Sequence, residues 1–155
     1  MAFEDADLSL LPEGFHQRVI DLNKDGYNCA QIMSIATLEQ EGLENVGFVR
    51  AMGGLNDSTG HSKMTCGALT SACCIISYFA GKGEDDELED DDFQEMLGEL
   101  ADWFAEKYTD KYGGFRCCDM LHDNYDNRIF VCPEAIESAY AKAIELLDDR
   151  GLWPW

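Results

Sequence analysis

Four of the seven cysteines stand where the sequence places a helix start. Asn28-Cys29-Ala30-Gln31 reads as an Asn N-cap with Gln three positions on, the pattern of a capping box. Thr65-Cys66 follows a glycine-rich stretch and opens an apolar run. Cys117 begins Cys-Cys-Asp-Met-Leu just after Gly113-Gly114. Cys132-Pro133-Glu134 sets Pro at the first helical position with Cys132 as the cap. A helix N-terminus offers unsatisfied N–H groups and partial positive charge. Both favour the thiolate, the form that binds metal or attacks a disulfide. Cys29, Cys66, Cys117 and Cys132 thus predict a sulfur-rich redox or metal centre.

The spacing rules out the compact motifs. The chain has no C-x-x-C, hence neither a thioredoxin-type dithiol nor a zinc ribbon. The runs that hold ferredoxin clusters are missing as well. Ligands this dispersed need the tertiary fold to gather them. Cys73 and Cys74 lie inside an apolar helix, where cysteine acts as a small hydrophobe. Cys66 and Cys73 share a helix face but stand about 10 Å apart along the axis, too far to ligate one ion. Cys118 adjoins Cys117 and could be a spare ligand or a resolving thiol. His16, His61 and His122 form no ligand set. Only His61, five residues before Cys66, falls near the expected site, and a solvated loop histidine is the alternative. The chain carries no G-x-S-x-G, no H-E-x-x-H and no phosphate loop, so hydrolysis and phosphoryl transfer gain no support.

The elements that must position these cysteines read as helices. Apolar periodicity predicts helices over 12–24, 28–41, 44–52, 65–80, 91–110 and 133–149. The helix at 65–80 is apolar on most sides (Ala68, Leu69, Ala72, Ile75, Ile76), which marks it as the buried central element. The stripe Phe93, Met96, Leu97, Leu100, Trp103, Phe104, Tyr108 reads as core. Loops are expected at 53–64, 81–90 and 111–131. No alternating strand pattern and no internal repeat appears. The expectation is an all-α, single-domain bundle of five to seven helices over 1–155, with an acidic linker at 84–92 and a tail at 151–155. Short connections favour antiparallel neighbours, and antiparallel packing sends alternate helix starts to opposite ends. The four cysteines therefore meet only if the topology brings those starts together.

The bulk numbers bound the class. A chain of 155 residues is most simply one domain and buries about 70% of its unfolded surface without staples. Eleven Lys and Arg against 31 Asp and Glu give a formal charge of −20. That field repels nucleic acid and anionic membrane surfaces. It serves solubility, and it attracts a basic partner. Residues 84–92 hold eight acids around Leu88, a block expected to be solvated and mobile. The acidic N-terminus has no signal-peptide pattern and no apolar run reaches membrane-spanning length, which places the chain in a cytoplasm. Homodimerisation is left open.

Taken together, Gly26-Tyr27-Asn28-Cys29-Ala30-Gln31, the glycine loop through Gly60, Thr65-Cys66-Gly67-Ala68-Leu69-Thr70, Arg116-Cys117 and Cys132 resemble the redox-active family named for its C-GCAxxG-C-C cysteine pattern. The likeness runs from about residue 13 to 148. It implies that the family's four cysteines are Cys29, Cys66, Cys117 and Cys132, with Cys73, Cys74 and Cys118 outside the pattern. One glycine of the pattern is replaced by Ser71, with an expected effect on helix packing rather than ligation. The resemblance implies an oxidoreductase or transporter context; a similar domain occurs beside an iron–sulfur centre in a multihaem cytochrome. No C-x-x-C-H is present, so haem is not implied.

Three readings remain. In the first, the four cysteines hold an iron–sulfur cluster, 2Fe–2S by expectation, for electron transfer or redox sensing. Backbone N–H donors and the Gly53-Gly54 and Gly60 loop would then lie close to the sulfurs. In the second, the thiols cycle through a disulfide, with Cys29–Cys66 or Cys117–Cys132 as the pairs. In the third, zinc sits on four thiolates, structurally or as a substitute for iron. The expected partner is a redox protein, attracted by Glu84–Asp92 if it is basic. No general base or organic-cofactor motif identifies an enzyme.

Overall fold

Apolar periodicity with glycine stops produces helices nearly where the pattern places them. The computed structural model describes residues 4–55 and 64–155. Among these are α1 (Phe15–Lys24), α2 (Cys29–Glu41), α3 (Val46–Met52), α4 (Gly67–Ala80), α5 (Phe93–Tyr112), α6 (Cys117–Met120) and α7 (Arg128–Asp149). Short 3₁₀ turns occupy Leu8–Leu10, Gly53–Leu55 and Tyr125–Asn127. The described residues contain no strand, only an isolated antiparallel bridge between Thr65 and Arg116. The fold is all-α and single-domain.

The central helix is the expected one. Ala68, Leu69, Ala72, Ile75 and Ile76 of α4 are buried, and α4 packs against α7, α2 and α5. The stripe on α5 is core too: Met96, Leu100, Phe104 and Tyr108 are fully buried. Where α7 crosses α1 and α2, Phe15 stacks on Tyr140 at 5.2 Å. The Tyr140 hydroxyl lies 2.9 Å from Thr37 Oγ1, which itself donates to the Met33 carbonyl. Gly42 (φ 70°) and Gly113 (φ 82°) end α2 and α5 in the left-handed conformation that glycine adopts without strain.

Direction matters more than count. The end of α1 and the starts of α2, α4 and α7 all line one cavity, so α2, α4 and α7 run the same way and α1 runs against them. α5 opposes α4: Asp90, just before α5, donates to the carbonyl of Ala80 at the far end of α4. At that far end Arg150, after α7, reaches Asp92 and Glu99. The consecutive partners α1 and α2, α4 and α5, and α5 and α7 are thus antiparallel as expected, while α2, α4 and α7, which no short loop joins, lie parallel. By Met64 and Cys66 the chain is back at the starting end, and residues 113–127 keep it there.

Three further expectations change. α7 begins at Arg128, five residues before Pro133, so Cys132 lies inside a helix rather than at its cap. The acidic block 84–92 is stitched: Lys82 Nζ donates to the carbonyls of Asp85 (2.9 Å) and Glu87 (2.8 Å), and the Glu87 carboxylate takes the amides of Gly83 and Glu84. The C-terminal tail is docked, with the Trp153 ring edge-on to Phe79 (5.2 Å) and Tyr140 (6.4 Å).

Candidate functional site

A capping box fixes the first of the four cysteines. Asn28 Oδ1 accepts from the amides of Ala30 and Gln31, both at 3.1 Å, and Gln31 Oε1 accepts from the Asn28 amide at 3.2 Å. Cys29 is the first residue of the helix so capped. The same pair reaches outward: Asn28 Nδ2 donates to the Gly53 carbonyl (3.2 Å) and Gln31 Nε2 to the Val49 carbonyl (3.4 Å). Gly53 lies so close that an added Cβ would meet Gln31 Nε2 at 3.1 Å.

Cys66 and Cys117 are held as a pair of strand-like neighbours. The Cys66 amide donates to Phe115 C=O (2.9 Å) and the Cys117 amide to Met64 C=O (3.1 Å). Between them Thr65 faces Arg116. Each cysteine then leaves the bridge into its own helix, Cys66 as the cap of α4 and Cys117 as the first residue of α6. A fork from Arg116 to Asp119 (Nε and Nη2, both 2.9 Å) clamps the short α6. Gly114 leaves the room for it, since a Cβ there would stand 2.3 Å from Asp119 Oδ2.

These segments converge. Cys29, Cys66, Cys117 and Cys132 all line one cavity of about 340 Å³. Asn23, Tyr27, Asn28, Tyr125 and Arg128 supply its polar wall; Gly67, Ala68, Leu121, Val131 and Ile136 belong to the apolar part. Cys73, Cys74 and Cys118 do not line it. His16 lies between α1 and α7, its Nδ1 2.9 and 3.0 Å from the Glu137 carboxylate oxygens. His122 packs edge-on to Tyr112, 6.0 Å between centroids. His61, Asp57 and Gly60 lie outside the described residues.

The electrostatics of Cys66 differ from the simple helix-start expectation. Burial pushes its thiol well above the ordinary range, and proximity to Cys29 and Cys132 adds to this; the amides of Ala68 and Leu69 pull the other way and lose. Desolvation of a thiolate outweighs two N–H dipoles here. Cys73 is pushed up to about 11 by burial and by its neighbour Cys74. Among the described residues no group of three or more His, Cys, Asp or Glu side chains converges to hold a metal ion. The four thiols surround a space rather than a point.

A polar network that sequence reasoning missed lies behind Cys132. Lys107, on the apolar face of α5, is buried and contacts Glu134 Oε1 (3.1 Å), Ser138 Oγ (3.2 Å) and Asp5 Oδ1 (3.5 Å). Tyr108 donates to Glu134 Oε2 at 2.8 Å. Burial alone would raise the Glu134 carboxyl; hydrogen bonds from Ser138 and Tyr108 and the charge of Lys107 outweigh it and hold it below the usual range. The one sequence signal was a Lys at helical spacing from Trp103 and Phe104 in an otherwise apolar stripe. Ser71, the departure from the family pattern, is fully buried and donates to the Gly67 carbonyl, so its hydroxyl is satisfied within α4.

Residues 27–146 match the family model described as "Putative redox-active protein (C_GCAxxG_C_C)". No curated protein and no solved structure matches the chain. No helix among the described residues is long and apolar enough to cross a membrane.

Proposed function

Because the chain belongs to the C_GCAxxG_C_C family of redox-active proteins, we propose that it transfers or senses electrons through an iron–sulfur cluster held by Cys29, Cys66, Cys117 and Cys132. The observation that carries this reading is the shared cavity: four thiols from four separate segments line one space. Donor type and number fit a tetrathiolate cluster. In a two-iron cluster each iron takes two protein ligands. Zinc on the same four thiolates is the alternative, and metal analysis separates the two. Bound there, a cluster supplies a one-electron couple. The chain's own part is to exclude bulk water, to present the Ala68 and Leu69 amides to the Cys66 sulfur, and to fix Cys29 through its cap.

Anaerobic purification tests the proposal. The expected product is coloured and carries stoichiometric iron and sulfide; Cys→Ser at any of the four positions removes most of both, while Cys73→Ser and Cys118→Ser do not. A colourless, iron-free protein from strictly anaerobic cells refutes it.

One observation favours thiol–disulfide exchange as the second reading. Cys66 couples most strongly to Cys29 among its thiol neighbours, then to Cys132. That proximity favours Cys29–Cys66 over Cys117–Cys132 as the reactive pair. Thiol counting after mild oxidation decides: two thiols must disappear, and both Cys29→Ser and Cys66→Ser must abolish that loss.

A further inference from the structure

The thiol-lined cavity differs in charge from the rest of the chain. Among the described residues that line it none is an acid, and Arg128 is the one charged side chain. The neighbouring carboxylates do not cancel it. Asp119 is taken up by Arg116 and Glu134 by Lys107. Asp25, Asp123 and Asp126 are exposed, where water and salt screen them. Asp126 is the ion-pair partner of Arg128, but it stands 4.0 Å away, 95% exposed and off the cavity wall. The acidic run 84–92 follows Ala80, fourteen helical residues from the cavity end of α4, or about 20 Å away.

Arg128 is also held in place. Its Nη1 donates to the Tyr125 carbonyl (3.2 Å), and its guanidinium lies over the Tyr125 ring, 4.4 Å from the centroid. Tyr125 lines the cavity too. On α7, Arg128 precedes Cys132 by four residues, so the two share a face one turn apart, about 6 Å along the axis. The placement has the wrong sign for the helix itself. Arg128 is the first residue of α7, whose first turn holds no acid, and a cation there opposes the dipole. It has the right sign for thiolates in the cavity.

We propose that Arg128 sets the reduction potential of the site: its fixed charge makes the cavity locally positive and favours the electron-rich state of a thiolate-held centre. One electron from an external reductant turns one Fe(III) of a two-iron cluster into Fe(II), with no bond broken and no proton moved. A fixed cation on the wall lowers the energy of the added negative charge. The effect on potential rests on the cluster reading above. The positive field does not, and the test separates the two.

Two variants separate charge from packing. Arg128→Gln removes the charge; Arg128→Lys keeps it but gives up the planar guanidinium over Tyr125. The anaerobically prepared, iron-loaded full chain is titrated potentiometrically. Arg128→Gln should disfavour reduction by roughly fivefold, which lowers the midpoint by about 40 mV for one electron. Arg128→Lys should stay within about 10 mV of the parent, roughly 1.5-fold. A Gln variant within that same margin overturns the proposal. Equal shifts in both variants also overturn it, because they assign the effect to packing on Tyr125.

The metal-free chain gives a readout that needs no cluster. Its reduced thiols are alkylated with iodoacetate, an anion, and with iodoacetamide, its neutral counterpart; in each case the sulfur–carbon bond forms as iodide leaves. Peptide mass spectrometry follows Cys29, Cys66, Cys117 and Cys132 separately. The ratio of the two rates cancels thiol ionisation and burial. Arg128→Gln should lower that ratio by about threefold at low salt, and Arg128→Lys should leave it as in the parent. An unchanged ratio in the Gln variant overturns the positive field. A parent that takes up no iron sinks the cluster reading, while the alkylation ratio still judges Arg128.

Discussion

Replacing Asn28 by Ala tests whether the cap of α2 is what holds Cys29 in place. Three interactions go. Oδ1 no longer accepts from the Ala30 and Gln31 amides, and Nδ2 no longer donates to the Gly53 carbonyl. Loss of an N-cap costs about 1 kcal/mol, and loss of one half-buried hydrogen bond about 1 kcal/mol more. For a chain of this size, ~2 kcal/mol lowers Tm by roughly 4–8 °C. Asn28→Ser separates the two parts, because Ser keeps the cap and loses only the bond to Gly53; its deficit should be about half. Differential scanning calorimetry of the metal-free proteins reads stability, and iron content after anaerobic purification reads the site. The expected order for both is parent, then Ser, then Ala. An Asn28→Ala protein that melts within about 1 °C of the parent and keeps full iron would show that Cys29 is positioned by packing alone, and the argument from the cap would be wrong.

The remaining predictions concern the other supports. Gly114→Ala drives a Cβ into the clamped Asp119 carboxylate, so it should loosen α6 and cost more iron than stability, read by iron content against Tm. Lys107→Met leaves Glu134 without its cation; stability should fall by up to about 3 kcal/mol, toward the low end for a broken buried pair, because the Glu134 side chain keeps 36% exposure. Urea titration measures it, and adding Glu134→Gln should recover part of the loss. Glu134 also sets an acid limit: its folded pKa lies below the unfolded value, so its stabilisation is present above the ordinary glutamate range and fades as pH falls through the folded value. The Lys107→Met protein should show a weaker acid dependence below about pH 4, the ordinary glutamate range. Cys73, half-buried and with its thiol raised to about 11, should resist iodoacetamide at neutral pH and accelerate until the pH nears that value; labelling as fast as a free thiol (pKa about 8.5) would refute that shielding.

Much of the fold was legible because its signals are local. Asn28 and Gln31 announce the start of α2 by chemistry confined to four residues, and that start is observed. The apolar wrap of 65–80 announces a buried helix, and α4 is central. Pro133 misled for an equally local reason. Pro is at home in a helix's first turn, but Arg128–Val131 already form a turn that Pro133 continues at the expense of one hydrogen bond. Lys107 and Glu134 were invisible because their partnership spans two helices and appears in no periodicity. The four cysteines were legible as a set through the family pattern. Their convergence was not, because it depends on helix direction.

Helix direction is also what gives the site its electrostatic character. α2, α4 and α7 all begin at the cavity. Parallel neighbours align their dipoles, an arrangement that stacks like partial charges at each end. At the cavity end those charges are positive and face four groups that carry negative charge once ionised. At the other end they are negative, and there Arg150 stands after the last turn of α7, bonded to Asp92 and Glu99 beside the start of α5. The burial that holds the Cys66 thiol protonated works against this field. Were the thiolates to bind a cation, its charge would offset the hydration they lose on burial. The parallel trio therefore turns three helix starts toward the four thiols.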